Sequence, residues 1–243
     1  MRLWVDTDVG SDPDDAIALL CAAAHPKVEL LGVSTVDDPR GERAAIARGL
    51  LDGVPVAAEP DTAADAVLAI GPLTNVARMA SAGELPRRLA VMGGALAPVH
   101  HRGWLHTVEH NFGSDPGAAT TVLALVPNVL LCPLDVTVRT CLDDDERNRL
   151  VNADRRLGPM LAGWEARICL HDPLALLALL EEPVVRTERR RLAVGPDGAV
   201  RVGEGAEHDV VVDVDAHGAT ARIVALLGQG ARYTGTPAED ERP

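Results

Sequence analysis

Five aspartates stand within ten residues in the stretch VDTDVGSDPDDAIALL, Val5–Leu20: Asp6, Asp8, Asp12, Asp14 and Asp15. Helix capping accounts for one or two of them. Asp12 or Asp14 at the start of a helix would accept backbone N–H groups, and an acid in a first helical turn gains about 0.3–1 kcal/mol from the helix dipole. Capping does not account for Asp6 and Asp8, which stand at the end of the preceding apolar run. Carboxylates packed this densely repel one another and resist ionisation. A hard cation removes the conflict, because Ca2+ takes about six to eight oxygen ligands from carboxylates, carbonyls and water. The loop is not an EF-hand. Counted from Asp6, the required glycine position holds Ser11 and the required glutamate position holds Ile17.

Other segments could complete a site. HDPLA brings His171 and Asp172 to a helix start, where Asp172 could cap and Pro173 suits the first helical position. Beside the aspartate turn, the same pair would add a distant carboxylate ligand and a proton donor. In AIGPLTNVA, Thr74 or Asn75 could cap a helix after a Gly-Pro turn, or the carbonyl of Ile70 could face a metal. MGGAL lets the backbone at Met92 approach a ligand closely, or simply turns. TVEHNFGSDP gathers Glu109, His110 and Asn111 in a loop that could hold a hydroxylated substrate or stand in solvent. An aspartate-nucleophile phosphatase also opens on an Asp-x-Asp turn, but needs a downstream lysine for the phosphoryl group. Lys27 is the only lysine and sits at the end of the first helix, so that chemistry is disfavoured.

The elements that must position these groups alternate. Apolar runs of strand length (RLWVD, VELLGVSTV, VPVAA, AVLAI, RLAVMGGAL, NVLLCPLDVT) are separated by helical segments. Two or three helices are expected between about Asp143 and Leu180, then a hairpin, a strand and a final helix. This alternation predicts an α/β fold with a mostly parallel central sheet and helices on both faces. Ligands in such folds collect at the carboxyl ends of the strands, where the polar clusters fall. One domain over residues 1–232 is expected, with a disordered tail over 233–243. The chain has 243 residues, 47% of them hydrophobic and 2% aromatic, so the core must be aliphatic. A net charge of −13 leaves no basic patch for a phosphate backbone, so no nucleic-acid partner is expected. No apolar run reaches membrane-spanning length. Cys21, Cys132, Cys141 and Cys169 form no CxxC pair, and with no leader they read as buried thiols of a cytoplasmic protein.

In this order the segments resemble the nucleoside hydrolase family, the calcium-dependent N-ribohydrolases. The matching stretches are DTDVGSDPDDAIAL, GPLTNVA, VMGGAL, EHNFGSDPGAA, PLDVT and HDPLA, collinear from Val5 to Ala175. The resemblance implies a Rossmann-like fold and a hydrolase that cleaves a ribonucleoside or related N-riboside into free base and ribose. It implies Ca2+ as cofactor, a small-molecule substrate, and a homodimer or homotetramer. Asp8 would be a metal ligand and the base that deprotonates the attacking water. Asp15, Asp172 and the Ile70 carbonyl would complete the metal set. Asp14 and Asn111 would bind the ribose hydroxyls, with Glu109 in support and Asp38 and Met92 also at the substrate. His171 would donate a proton to the leaving base. This chain departs from the family in four places. Its aspartate turn is two residues longer, so Asp12 competes with Asp14 for the ribose. Asp38 stands where asparagine is common. Gly103 stands about where the family has an asparagine that grips the sugar, eight residues before Asn111. Loops between Pro55 and Val67 and after Pro183 are short. The shortened loops favour one alternative, a catalytically weak member that only binds ribose or nucleoside.

Overall fold

The structure, a computed structural model, describes residues 1–162, 164 and 167–230. The expected tail over 233–243 lies outside the described residues. In chain order the elements are β1 (Arg2–Thr7), α1 (Pro13–Ala24), β2 (Glu29–Thr35), α2 (Glu42–Leu50), β3 (Val56–Ala57), β4 (Ala66–Ala69), α3 (Thr74–Ser81) and β5 (Leu89–Met92). The middle holds β6 (Val99–His101), β7 (Trp104–His106), α4 (His110–Ser114), α5 (Pro116–Leu125), β8 (Leu130–Cys132), α6 (Leu134–Thr137), α7 (Asp144–Ala153) and α8 (Gly158–Ala162). The chain continues through α9 (His171–Leu179), β9 (Val185–Val194), β10 (Val200–Val202), β11 (Ala206–Val214) and α10 (Ala216–Gly230).

Nine strands form one sheet in the order β10-β9-β11-β8-β5-β4-β1-β2-β3. All its pairings are parallel except those made by β9, which runs antiparallel to β11 and β10. Strand side chains alternate between faces, and the core divides accordingly. Leu3, Val5, Leu68, Ala90 and Met92 join α1, α9 and α10 in one buried cluster. Trp4, Val67, Ala69, Leu89 and Val91 join α3 and α5 in the other. Helices therefore cover both faces, as expected for continuous apolar strands.

The site is located by the topology. From β1 the chain builds β2 and β3 on one side, then crosses to β4 on the other side of β1. A crevice opens outside the carboxyl ends of strands at such a reversal, here beyond Thr7 and Ala69. The floor of that crevice is tied by a buried network. The Asp6 carboxylate accepts from Ser34 Oγ at 2.5 Å and from Asn75 Nδ2 at 2.9 Å, and Trp4 Nε1 donates to Ser34 Oγ at 3.0 Å. Asn75 also donates to the Thr35 carbonyl at 3.3 Å. Asn75 is thus a bolt between β1, β2 and α3 and not the expected cap. Thr74 instead donates to Asp115 at 2.6 Å.

Residues 99–106, for which no element was expected, form a β-hairpin, β6–β7. Three local expectations are corrected. The strand expected through NVLLCPLDVT stops at Cys132, because Pro133 lacks an N–H for the ladder, and α6 follows. The loop expected at Glu109–Asn111 is the start of α4, capped by Glu109. Cys141 and Cys169 are disulfide-bonded across an antiparallel bridge, while Cys21 and Cys132 are buried free thiols. Their 28-residue separation hides the pairing from a reading of spacing. Among the described residues no helix is long and apolar enough to cross a membrane.

Replacing Asn75 with Ala strips one donor from a carboxylate that is fully buried. We expect a loss of about 1–3 kcal/mol, read as a lower urea midpoint with unchanged slope. A shift below about 0.5 kcal/mol would show that Ser34 alone holds Asp6.

Candidate active site

The cavity over the crevice measures about 320 Å3, enough for a small polar ligand. Its acidic floor comes from one strand end and two helix starts. Asp8 follows β1, Asp14 and Asp15 lie in the first turn of α1, and Asp172 lies in the first turn of α9. All four are buried. Pro13 at the start of α1 and Pro173 in the first turn of α9 suit positions with no intrahelical N–H partner. Neither helix is capped by a side chain, so both positive helix ends are directed at the carboxylates. Close approach at the centre requires Gly71: a Cβ there would lie 2.9 Å from the Asp8 backbone nitrogen.

One oxygen from each of Asp14, Asp15 and Asp172 lies within 4.8 Å of the others. Burial is the largest cause raising all four acids, and mutual repulsion adds to it. Asp14 rises to about 7, and Asp15 and Asp172 rise well above the usual carboxylate range. Asp8 is raised too, opposed by Arg43, whose guanidinium is 3.6 Å away. Thr7 donates a short hydrogen bond to Asp15. For Asp172, every contributing neighbour is an acid. The donor set is all oxygen, buried and short of positive charge, which fits a hard cation.

The neighbouring wall is made by β4, β5 and α4. The Glu109 carboxylate accepts from the backbone N–H groups of Asn111, Phe112 and Gly94 at 2.7, 3.1 and 2.8 Å. It therefore fastens α4 to the end of β5. Gly93 permits this contact, since a Cβ there would meet the Phe112 ring at 2.6 Å. Asn111 Nδ2 donates to the carbonyls of Met92 at 3.1 Å and Ile70 at 3.3 Å. This orientation turns its Oδ1 away from the strand ends, and Ile70, Met92 and Asn111 all line the cavity. His171 also lines it, with Nδ1 at 2.7 Å from Thr137 Oγ1. Burial, with His101 and Arg102 nearby, holds His171 down to about 3, so it is neutral.

Two expectations about substrate residues change. Asp38 does not line this cavity. Its carboxylate accepts from the backbone N–H groups of Arg43 at 3.1 Å and Ala44 at 2.8 Å, and caps the start of α2. Asp12 is at the cavity rim, where Arg102 grips it with two hydrogen bonds of 2.8 and 3.0 Å. Asp14 is the more buried of the pair, so the inward position belongs to Asp14. Arg102 also stacks over Trp164 at 5.4 Å. The hairpin carrying it brings His101 and His106 to the cavity as well. These three residues were missed in the sequence. The available signal was HHRGWLH, with left-handed backbone at Arg102 and Gly103 (φ 50° and 82°), a turn that suits a two-residue hairpin.

The family model for inosine-uridine preferring nucleoside hydrolases matches residues 37–225. The non-specific ribonucleoside hydrolase RihC of Klebsiella pneumoniae is 28% identical over 239 residues, covering 84% of this chain and 74% of that one. Uridine nucleosidase 1 of Arabidopsis thaliana is 24% identical over 273 residues, covering 80% of each chain. That alignment is longer than this whole chain, so the relative carries segments this chain lacks. The crystal structure of an inosine-uridine preferring nucleoside hydrolase from Bacillus anthracis superposes with a TM-score of 0.76 at 21% identity, covering 94% of this chain and 99% of that one. The family match spans most of the chain, and in this chain the fold carries a buried carboxylate cage at its switch point. This chain is a member of the inosine-uridine preferring nucleoside hydrolase family.

Proposed function

We propose that this chain hydrolyses the N-glycosidic bond of a ribonucleoside or related N-riboside, releasing base and ribose, with Ca2+ as its resident cation. One observation carries the proposal: Asp8, Asp14, Asp15 and Asp172 are buried together around a cavity that also holds a neutral histidine. Asp8, Asp15, Asp172 and the Ile70 carbonyl would hold the ion, with Asp14 beside them. When bound, Ca2+ supplies the positive charge that lets these acids ionise together and makes a nearby water more acidic.

The protein's own groups then divide the work. Asp8 takes the proton from the attacking water. Asp14 and the free oxygen of Asn111 accept from ribose hydroxyls. Glu109 spends its oxygens on three backbone N–H groups, so it holds Asn111 in place. Cleavage develops positive charge on the sugar, as in glycoside hydrolysis, and fixed carboxylates stabilise that charge in a site sheltered from water. His171 faces the leaving base. If the Thr137 hydroxyl donates to Nδ1, Nε2 carries the hydrogen. A neutral imidazole then presents an Nε2–H donor to the departing heterocycle, from the position to which the family resemblance assigns the proton donor.

Base release from a nucleoside panel tests the reading. Chelation should abolish it, Asp8→Ala should lower it by about 10^2–10^4-fold, and 2′-deoxynucleosides should be poor substrates. Turnover surviving both treatments would sink the proposal. The two candidates for the ribose should also separate. Asp14→Asn should lower kcat/KM by more than about 100-fold, whereas Asp12→Asn should stay within about tenfold; the reverse order would reassign the contact.

A pH prediction follows from the raised acids. Their folded values lie above the unfolded value, so the cation-free folded state holds extra protons between about pH 4 and 7. Its stability falls as pH rises through that window, by up to about 1.4 kcal/mol per pH unit per group. The gain in Tm on adding Ca2+ should therefore be larger near pH 8 than near pH 5, and an equal gain would contradict the cage.

A further inference from the structure

Beside the acidic floor stands a second group of donors with different chemistry. His101 on β6, Cys169 just before α9 and His171 each present a donor atom, all within 4.8 Å of one another. The two imidazoles meet edge to face, with ring centres 5.6 Å apart. His171 uses Nδ1 on Thr137, which leaves Nε2 as its remaining nitrogen; as a metal ligand it takes the tautomer with the hydrogen on Nδ1, donated to Thr137 Oγ1, so that the Nε2 lone pair is free. Among the described residues, the His101 ring makes no hydrogen bond. Cys169 is buried, and its sulfur is bonded to Cys141. We propose that Cys169, His101 and His171 form a thiol-gated site for a zinc-class divalent ion, closed while Cys169 is bonded to Cys141 and opened when that bond is reduced.

Ligand type favours this sorting of ions. Sulfur and imidazole suit zinc or cobalt, whereas the all-oxygen floor suits a hard cation. Three protein ligands, of which His101 and His171 line the cavity, leave a fourth position for water. The gating step balances. A dithiol reductant attacks the disulfide, the Cys141–Cys169 bond breaks, and both sulfurs leave as thiols carrying the reductant's two hydrogens. The reductant becomes the disulfide. Metal then replaces the Cys169 thiol hydrogen, which is released as a proton. An ion so held occupies His171, the group facing the leaving base. That inhibitory consequence rests on the proposed function; the binding itself does not.

Metal uptake tests the site without any turnover. The full chain is loaded with excess Ca2+, exposed to Zn2+, gel-filtered and analysed for zinc; Co2+ serves as the optical probe for thiolate ligation. Reduced wild type should retain one zinc per chain and show a thiolate–cobalt absorption band, both lost on reoxidation. Cys141→Ser, whose Cys169 is always a thiol, should retain zinc without reductant. Cys169→Ser and His101→Ala should lose the retained zinc under reducing conditions. Equal uptake by oxidised and reduced wild type, or a thiolate band surviving in Cys169→Ser, would overturn the proposal. Should a cysteine variant misfold, shown by lost Ca2+ uptake, the oxidised and reduced wild type still decide the outcome. Nucleoside turnover inhibited by zinc only after reduction would extend the result to the proposed reaction. An enzyme that takes up zinc but never turns over nucleosides would refute that reaction alone.

Discussion

Four carboxylates converge where burial makes each one hard to ionise, and much of the architecture answers that conflict. Asp8, Asp14, Asp15 and Asp172 are held by one strand end and two helix starts, so the positive ends of α1 and α9 point at them. That help is small beside the loss of hydration on burial, and burial remains the leading cause of every shift in the set. Among the described residues, Arg43, 3.6 Å from Asp8, is the one guanidinium in ion-pair contact with a floor carboxylate, while Arg102 at the rim acts on Asp14 from further off. Such a site is preorganised for external positive charge; in the proposed reaction that charge would come from the ion and from the sugar ring as its bond to the base breaks.

Rigidity around the cage has identifiable sources. Asp6, Ser34 and Asn75 fasten β1, β2 and α3 below it, while Glu109 fastens α4 to the end of β5 beside it. Both devices use buried carboxylates: Asp6 lies below the cavity, and Glu109, which lines it, spends its oxygens on backbone N–H groups. Their donors are mostly backbone or amide N–H groups, which fix geometry without adding another charge to the site. The chain thus uses acids for two purposes within a few ångströms, and burial with or without donors distinguishes them.

The upper wall differs from the floor. It is a hairpin whose Arg102 clips onto Asp12, and its His101 brings an imidazole beside His171 and Cys169. Asp12 reaches the rim and meets a cation there, which leaves Asp14 facing inward. The hairpin thereby gathers nitrogen and sulfur donors beside a floor that is all oxygen.

Much was legible in the sequence because it is local. Strand and helix periods gave the parallel sheet, and the carboxylate density at Asp6–Asp15 marked the site before any contact was known. The pairing of that turn with HDPLA was legible through family likeness, since nothing in the spacing of Asp15 and Asp172 brings them together. Other features depended on long-range packing. Asp6 and Asp8 are two residues apart on the same strand end, yet one is a structural carboxyl and the other faces the cavity, because their neighbours come from β2, α2 and α3. Asp38 looked like a substrate ligand and became a helix cap because the start of α2 folds back onto it. Cys141 and Cys169 looked like thiols and became a pair because α9 returns beside α6. Residue type and period determined which groups could do chemistry and which layers would carry them. Tertiary structure decided which were desolvated and which were paired, and that sets whether an aspartate acts as a ligand, a cap or a bolt.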